Sequence, residues 1–194
     1  LTGILDNSYF SDINNPDLPK TLQKLKNKGI ETNKKYAKIL GINESAAISV
    51  IKPEGNSSQL NNSSSGIHPR YSKYYIRTVR AHQKDPLSKM LINAGVPYEN
   101  EFNNESNGYV FSFPIKSPES AVTRDKWDSL KQLELWKIYA LNFTEHNVSC
   151  TVYVKEQEWL EVASWVYKNF DDICGVSFLP YSDHSYKQAP YQPI

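Results

Sequence analysis

The sequence AAISVIKPEGNSSQL, residues 46–60, joins a short apolar run to a turn and a series of small polar side chains. The run 46–51 is rich in β-branched residues and is bounded by Ser45 and Pro53, which predicts a buried strand. In parallel α/β folds the loops that leave the carboxyl ends of the strands carry the functional groups. Residues 52–58 leave such an end, so they form a candidate site.

The composition of this loop is typical of an anion-binding turn. Gly55 allows a tight turn, and Asn56, Ser57 and Ser58 follow where a helix would begin. Hydroxyl and amide side chains beside the N–H groups of a helix start form a cradle for an anion, usually phosphate. A plain helix cap formed by Asn56 or Ser57 explains the same residues equally well. The segment is not a P-loop, because no Gly-Lys-Ser/Thr follows it.

The periodicity of apolar residues predicts the remaining secondary structure. Helices are expected over residues 17–29, 33–41, 85–95, 123–143 and 156–171, and further strands over 109–115, 148–154 and 176–180. Two further details are expected: a helix stop at Gly29, and a buried row in the last helix made of Trp159, Val162, Val166 and Phe170. Alternating strands and helices indicate the α/β class with parallel strands. Since no linker is evident, residues 1–194 are expected to form a single domain.

Composition and charge exclude several classes of protein. A net charge of +1 with 39% hydrophobic residues indicates a globular protein with no general attraction to nucleic acid or membranes. No stretch approaches the roughly 20 apolar residues that would span a bilayer. Cys150 and Cys174 fit no metal-ligand spacing, so each is interpreted as a packing residue in a reducing, cytoplasmic setting.

Several blocks of the sequence together resemble one enzyme family. They are LTGILD (1–6), KPEGNSSQL (52–60), SSGIHPRY (64–71), DPL (85–87), EHNVSCTVYV (145–154), EWLEVASWVYKNFDDICGVSFLPY (158–181) and YKQAPYQ (186–192). In this order they resemble the carboxyl-terminal part of the catalytic subunit of adenosylcobalamin-dependent (class II) ribonucleoside-triphosphate reductases. The resemblance implies the second half of a ten-stranded α/β barrel, which is incomplete alone.

The same resemblance implies a function. The chain would belong to a ribonucleotide reductase, which converts ribonucleotides to deoxyribonucleotides by radical chemistry. Its part would be the loop that holds the substrate's phosphates, made of Pro53, Glu54, Gly55, Asn56, Ser57 and Ser58. Family loops commonly carry other residues at the positions of Glu54, Gly55 and Asn56, so backbone groups are the expected contacts.

The resemblance also implies what lies outside this chain. In the family the radical cysteine and the proton-handling carboxylate come just before the block that resembles residues 1–6, so no catalytic residue and no metal ligand is expected here. The implied cofactor is adenosylcobalamin, with no contact residue assigned. The implied partners are a ribonucleotide substrate, the amino-terminal part of the reductase and a thioredoxin-like reductant.

Three other interpretations use the same residues differently. The stretch HPRYSKYYIRTVR (68–80) interleaves basic and aromatic residues, as nucleic-acid-binding surfaces do, but it also fits an ordinary strand. Glu145 and His146 could form an acid–base pair, although neighbours in an extended segment point to opposite faces. A catalytically inert homologous fragment is the third. His68, a lone histidine beside Pro69, is expected to be structural.

Overall fold

The computed structural model of the chain describes residues 1–55, 57–182 and 187–194. The chain forms two compact units, each built from two stretches of sequence. The first unit comprises Leu1–Arg70 and Ser120–Tyr181. The second comprises Tyr71–Glu119 and Ser182–Ile194. Both α-helices and β-strands are present, so the fold is mixed α/β.

Three α-helices precede the first strand, and strands and helices are interspersed along the rest of the chain. The α-helices are α1 (Ser8–Ser11), α2 (Leu18–Leu40), α3 (Ser57–Leu60), α4 (Pro86–Asn93), α5 (Ser129–Asn142) and α6 (Trp159–Lys168). The strands are β1 (Tyr74–His82), β2 (Tyr98–Asn100), β3 (Gly108–Lys116), β4 (Cys150–Val154), β5 (Val176–Pro180) and β6 (Tyr191–Pro193). Short 3-10 turns occur at Ile4–Asp6, Glu156–Glu158 and Phe170–Asp172.

Helix α2 is continuous, so the predicted stop at Gly29 is wrong. A side chain on Gly29 would have its Cβ 3.1 Å from the Cδ1 atom of Ile48. Glycine at this position therefore allows the segment 46–51 to pack closely against the middle of the helix. Gly41 does end the helix, in the left-handed conformation with φ 67°. Two adjacent predicted helices therefore form a single helix of 23 residues.

The segment 46–51 is extended but is not the buried strand that its composition predicts. Its only bridge among the described residues joins Ile51 to Val148 in parallel. The Glu145 carboxylate accepts hydrogen bonds from the N–H groups of Ile48 and Ser49, at 2.9 and 3.2 Å, and so takes the place of a neighbouring backbone carbonyl. Ser49 and Ile51 are buried, whereas Ile48 and Val50 are over a third exposed.

The first unit contains a parallel β-α-β crossover. Strands β4 and β5 pair in parallel, with Cys150 opposite Val176 and Val154 opposite Pro180, and helix α6 connects them. Helix α5 begins at Ser129, behind an Asp128 cap whose carboxylate accepts from the Lys131 N–H at 2.8 Å. The predicted parallel strands are thus confirmed for this pair.

The core of the first unit lies between helices α2, α5 and α6 and the parallel strands. Its fully buried side chains include Leu5, Leu18, Leu22, Ile51, Ile67, Leu133, Trp136, Tyr139 and Val148. Helix α6 buries Val162 and Trp165, while Trp159 and Phe170 of the predicted row are 38% and 72% exposed. The helix ends at Lys168, so its period does not extend to residue 170.

The second unit is an antiparallel sheet, which departs from the parallel pattern expected for the whole chain. Its strand order is β2-β3-β1-β6, with Tyr74 opposite Lys116 and His82 opposite Gly108. Helix α4 begins at Pro86 behind an Asp85 cap, as predicted. No helix among the described residues is long and apolar enough to span a bilayer.

Candidate functional site

The loop after Ile51, residues 52–58, is open at its tip. Pro53, Gly55 and Ser57 are exposed, Glu54 is half-buried and Ser58 is fully buried. A Cβ atom added to Gly55 would meet no atom within 4 Å. Asn56, a further predicted site residue, lies outside the described residues. The turn therefore presents backbone to the surroundings, and helix α3 begins directly behind it.

Hydrogen bonds fix the base of this loop. The Glu54 N–H donates to the Ser65 hydroxyl at 2.6 Å, and the Ser58 hydroxyl donates to the Glu54 carbonyl at 2.6 Å. The Ser58 carbonyl accepts from the Ser63 N–H at 2.8 Å. Because its hydroxyl is buried and bonded inside the loop, Ser58 stabilises the conformation of the loop. The side chain of Ser57 remains at the surface.

The segment 62–70 lies against this loop and is anchored by a buried ion pair. Two nitrogens of Arg70 bind the Asp6 carboxylate, with Nε–Oδ1 and Nη2–Oδ2 distances of 2.9 and 2.8 Å. The Arg70 side chain is 4% exposed, and it also donates to the carbonyl and side-chain oxygens of Asn62. Asp6 further accepts from the Ser64 N–H at 2.7 Å. One buried pair thus fixes both ends of the segment.

Gly66 allows the segment to pass close to the start of the loop. Its φ is +56°, and a Cβ atom there would lie 2.9 Å from the Lys52 carbonyl oxygen. Its N–H donates to the Thr2 hydroxyl at 2.9 Å. Only glycine satisfies both the positive φ and this close approach without strain.

His68 has a structural position, as predicted. Its Nε2 atom accepts from the Thr151 N–H at 3.0 Å, so Nδ1 carries the hydrogen that is donated to the Ser65 carbonyl at 2.9 Å. Burial lowers the pKa of His68 below its ordinary value of 6.5, although the contact with Ser65 raises it. The neutral ring therefore links the segment 62–70 to strand β4.

The proposed acid–base pair of Glu145 and His146 is not supported by its contacts. The Glu145 carboxylate is bonded to the backbone of Ile48 and Ser49 and to the Ser49 hydroxyl. The bond from the Ile48 N–H is the main cause of a lowered Glu145 pKa. Glu145 therefore holds the segment 46–51 beside the entry to strand β4.

The two cysteines differ in burial, so the interpretation as a packing residue is confirmed for Cys150 and is wrong for Cys174. Burial raises the pKa of Cys150 to about 12, although the contact of its sulfur with the Gln132 Nε2 atom at 3.3 Å acts to lower the pKa, so the thiol stays protonated at neutral pH. Cys174 is exposed and donates to the Asn147 side-chain oxygen at 2.8 Å. Within the part of the chain that the structure describes, no three His, Cys, Asp or Glu side chains gather as metal ligands.

The basic and aromatic stretch 68–80 includes most of strand β1. Its positive charges are partly neutralised by acidic side chains. Arg70 binds Asp6, the Lys73 Nζ atom lies 3.4 Å from Glu119 Oε2, and the Arg80 Nε atom lies 2.8 Å from Glu101 Oε1. The Arg77 guanidinium stacks over the Tyr191 ring at 4.5 Å. These contacts favour an ordinary strand over a surface that binds nucleic-acid phosphates.

Known proteins with a similar structure identify the class of protein to which this chain is related. No family model matches the chain. A crystal structure of a B12-dependent (class II) ribonucleotide reductase superposes on 91% of this chain and 25% of its own, with a TM-score of 0.78 and 27% identity. The chain is therefore homologous to part of a ribonucleotide reductase.

Sequence relatives make the assignment more specific. A probable adenosylcobalamin-dependent ribonucleoside-triphosphate reductase of Dictyostelium discoideum is 34% identical over 84% of this chain and 22% of its own length. The reductase of the same name from Lactobacillus gasseri is 29% identical over 92% of this chain and 24% of its own. The predicted resemblance to the class II enzymes is confirmed. The chain spans about a quarter of the length of these relatives.

The ion pair Asp6–Arg70 is a structural feature of the candidate site that the sequence did not predict. The two residues are 64 positions apart, and neither belongs to a periodic pattern. A usable signal did exist, because both residues lie inside blocks that resemble the reductases, LTGILD and SSGIHPRY. Pairing the single carboxylate of one block with the single arginine of the other would have suggested the contact.

Proposed function

We propose that the chain is part of a class II ribonucleotide reductase and that it supplies the loop that binds the phosphates of the ribonucleotide substrate. One observation carries this proposal: the turn at Gly55 is open and exposed, while its base is fixed through Ser58, Ser65 and the anchored segment 62–70. Backbone N–H groups at such a turn, just before helix α3, suit an anionic group.

The loop's side chains have different parts in the proposal. Pro53, Gly55 and Ser57 form the exposed surface on which the phosphates would lie. Glu54 and Ser58 hold the turn in shape through their mutual hydrogen bond, and Asn56 is included from the sequence alone.

We infer that the catalytic barrel is completed by the amino-terminal part of the reductase. The exposed apolar side chains of the extended segment 46–51, Ile48 and Val50, support this, because they need a partner to leave water. Strand β5 likewise exposes Leu179. The chain would then form the second half of a ten-stranded barrel.

The radical chemistry belongs to that other part in this proposal. The buried, protonated Cys150 is unsuited to act as a reducing thiol. The family resemblance would place the catalytic cysteines, and the site of action of a thioredoxin-like reductant, in that other part. Adenosylcobalamin would supply the radical. The buried His68 does not fit a cobalt ligand, because both of its ring nitrogens are engaged, and no step is assigned to the cofactor here.

Calorimetric titration of the chain with a ribonucleoside triphosphate tests the loop. Ser57→Asp adds a negative charge at the exposed turn and should weaken binding at least about tenfold, because like charges would be placed together. Asn103→Asp, an equally exposed site in the second unit, is the matched control and should bind as the native chain does. Equal affinities for all three proteins would contradict the proposed loop.

A reconstitution experiment tests the activity. The chain is mixed with the amino-terminal part of the reductase, adenosylcobalamin, a dithiol reductant and a ribonucleoside triphosphate, and deoxyribonucleotide is measured. We expect turnover that depends on both polypeptides and that Ser57→Asp lowers. Absence of turnover, with both polypeptides folded and associated, would instead indicate an inert homologous fragment.

A further inference from the structure

The turn that joins strand β2 to strand β3 ends in the only Asn-Gly pair of the sequence, Asn107 and Gly108. Asn107 is exposed, as is every residue of the run 102–107. Among the described residues its side chain makes one hydrogen bond, from Nδ2 to the Ser106 hydroxyl at 3.2 Å. The Asn107 side chain is therefore held by a neighbouring surface residue alone, and it rotates easily toward the peptide group that follows it.

Packing requires glycine at residue 108. A Cβ atom added to Gly108 would lie 2.7 Å from the Glu101 Cβ atom, so the Glu101 side chain already occupies that position. The Glu101 carboxylate is fixed in turn by Arg80, at an Nε–Oε1 distance of 2.8 Å. Because glycine has no side chain, the backbone nitrogen of Gly108 is not shielded from the side chain of the residue before it.

This pair of residues allows an intramolecular reaction. The Gly108 backbone nitrogen attacks Cγ of the Asn107 side-chain amide, so that a bond forms between these two atoms. The Cγ–Nδ2 bond breaks, and the side-chain nitrogen leaves as ammonia with the proton of the Gly108 N–H. Water then opens the cyclic succinimide at either carbonyl and leaves aspartate or isoaspartate at residue 107. Nothing is oxidised or reduced, and the reacting groups are already joined in one chain.

Hydrogen bonds of the folded turn oppose this reaction. The N–H groups of Gly108 and Asn107 both donate to the Asn104 carbonyl, at 2.8 and 3.1 Å, so the attacking nitrogen is engaged. Gln83 holds the other side of the turn. Its N–H donates to the Asn107 carbonyl at 2.8 Å, and its side-chain nitrogen donates to the carbonyls of Glu105 and Gly108, at 2.9 and 3.4 Å. The reaction therefore requires local opening of the turn.

We propose that Asn107–Gly108 is a site of spontaneous deamidation and that the side chain of Gln83 sets its rate by holding the turn closed. Opening releases the Gly108 nitrogen, and the attack on Asn107 takes place in the open form. The site is independent of the proposed phosphate loop, because all of its residues lie in the second unit.

The products change both the charge and the backbone of the second unit. Either product replaces a neutral amide by a carboxylate, which takes the formal net charge of the chain from +1 to zero. Isoaspartate also adds a carbon atom to the backbone between residues 107 and 108. Gly108 lies opposite His82 in the pairing of β1 with β3, so the added atom displaces Gly108 from its partner.

Mass spectrometry of the aged chain tests the modification. The folded chain is incubated at mildly alkaline pH and digested with trypsin, and the peptide 90–116 is fragmented to locate each converted amide. An unaged sample gives the conversion that occurs during digestion. Conversion should accumulate at Asn107, and Asn107→Gln should abolish it. Asn103 and Asn104 are internal controls that should stay intact, because they lie in the same exposed turn but precede residues with side chains.

Gln83→Ala tests the control of the rate. Loss of the side-chain donors favours the open turn and should raise the rate of conversion about threefold to tenfold, the change expected for one lost hydrogen bond. Gln83→Glu, which keeps the size of the side chain and loses its donors, should raise the rate as well. Gln23→Ala removes a glutamine donor to Asn142 in the first unit and is the matched control, with an unchanged rate. The chain unfolded in urea gives the upper limit, and the folded variants should stay below it.

Two results would overturn the proposal. One is conversion at Asn107 that is no faster than conversion at Asn103 and Asn104. The other is an equal rate for the native chain and both Gln83 variants, with all three shown to be folded by circular dichroism. Neither result bears on the proposed phosphate loop, because triphosphate binding is measured separately through Ser57→Asp.

Discussion

The loop 52–58 and the segment 62–70 are neighbours with opposite properties. The loop exposes Gly55 and Ser57 and keeps few bonds of its own, whereas the segment is tied to Asp6, Thr2 and strand β4 through buried groups. The Glu54 N–H and carbonyl groups are bonded at the base of the loop, whereas Gly55 and Ser57 lie exposed near its tip. In the proposed phosphate loop, rigidity would therefore come from the segment behind it.

Removing the buried ion pair tests this comparison most severely. Arg70→Ala leaves the Asp6 carboxylate without its charged partner and should lower the free energy of unfolding by about 3–5 kcal/mol. Tryptophan fluorescence during urea unfolding reports it, because all four tryptophans belong to the first unit. Lys28→Ala, which removes an exposed pair with Glu31, should change stability by less than about 0.5 kcal/mol. Similar losses for both variants would contradict the anchoring role.

Two glycines provide the sharpest contrast between the regions. Gly66→Ala places a side chain at a positive φ and against the Lys52 carbonyl, so the free energy of unfolding should fall by about 1–3 kcal/mol. The added methyl group of Gly55→Ala would point into open space, so the free energy of unfolding should stay unchanged or rise by about 0.5 kcal/mol. The same urea unfolding experiment measures both. A larger loss at residue 55 than at residue 66 would reverse the comparison.

Two serines one position apart separate shape from binding. Ser58→Ala removes the hydrogen bond to the Glu54 carbonyl and should cost about 1 kcal/mol of unfolding free energy. Ser57→Ala should leave stability within about 0.5 kcal/mol, because that side chain is exposed, and should weaken triphosphate binding instead. Urea unfolding and calorimetric titration of both variants check this. Equal effects of the two changes on both quantities would contradict it.

The mildest perturbation is a change of pH. The pKa of His68 is lowered in the folded chain, so the unfolded chain binds the proton more strongly, and the contribution of His68 to stability is complete above pH 6.5. This contribution should be lost as the pH falls from 6.5 through the lowered pKa. Unfolding curves at a series of pH values measure the loss. His68→Asn should flatten that part of the profile, and an unchanged profile would argue against the neutral ring.

The sequence predicted local structure well where one short signal decides it. Asp85 and Pro86 begin a helix, Gly41 ends one, and alternation in 109–115 gives a strand. The prediction from sequence was wrong where contacts between residues far apart in the chain determine the local structure. Gly29 continues a helix because Ile48 approaches it, and the segment 46–51 loses its ladder because the Glu145 carboxylate, about a hundred positions away, takes its N–H groups.

The candidate site shows the same difference between features set by local sequence and features set by long-range contacts. The exposed turn at Gly55 follows from a local pattern of small polar residues after an apolar run. Its support could not be predicted, because the Asp6–Arg70 pair, the Thr2 contact and the His68 link to Thr151 each join residues more than 60 positions apart. Local composition thus identifies a loop, and only the three-dimensional contacts reveal what holds it.

Arg70 and Thr123 form an isolated parallel β-bridge at the point where the chain leaves and re-enters the first unit. The Arg70 N–H donates to the Val122 carbonyl at 2.8 Å, and the Arg124 N–H donates to the Arg70 carbonyl at 2.9 Å, so the chain leaves and re-enters the first unit at one point. Closing a longer excursion between fixed ends costs only about 0.6 kcal/mol for each doubling of its length. The bridge therefore fixes the two ends of the excursion 71–119, and we expect added length in an exposed loop of that excursion, such as residues 101–107, to cost little closure entropy.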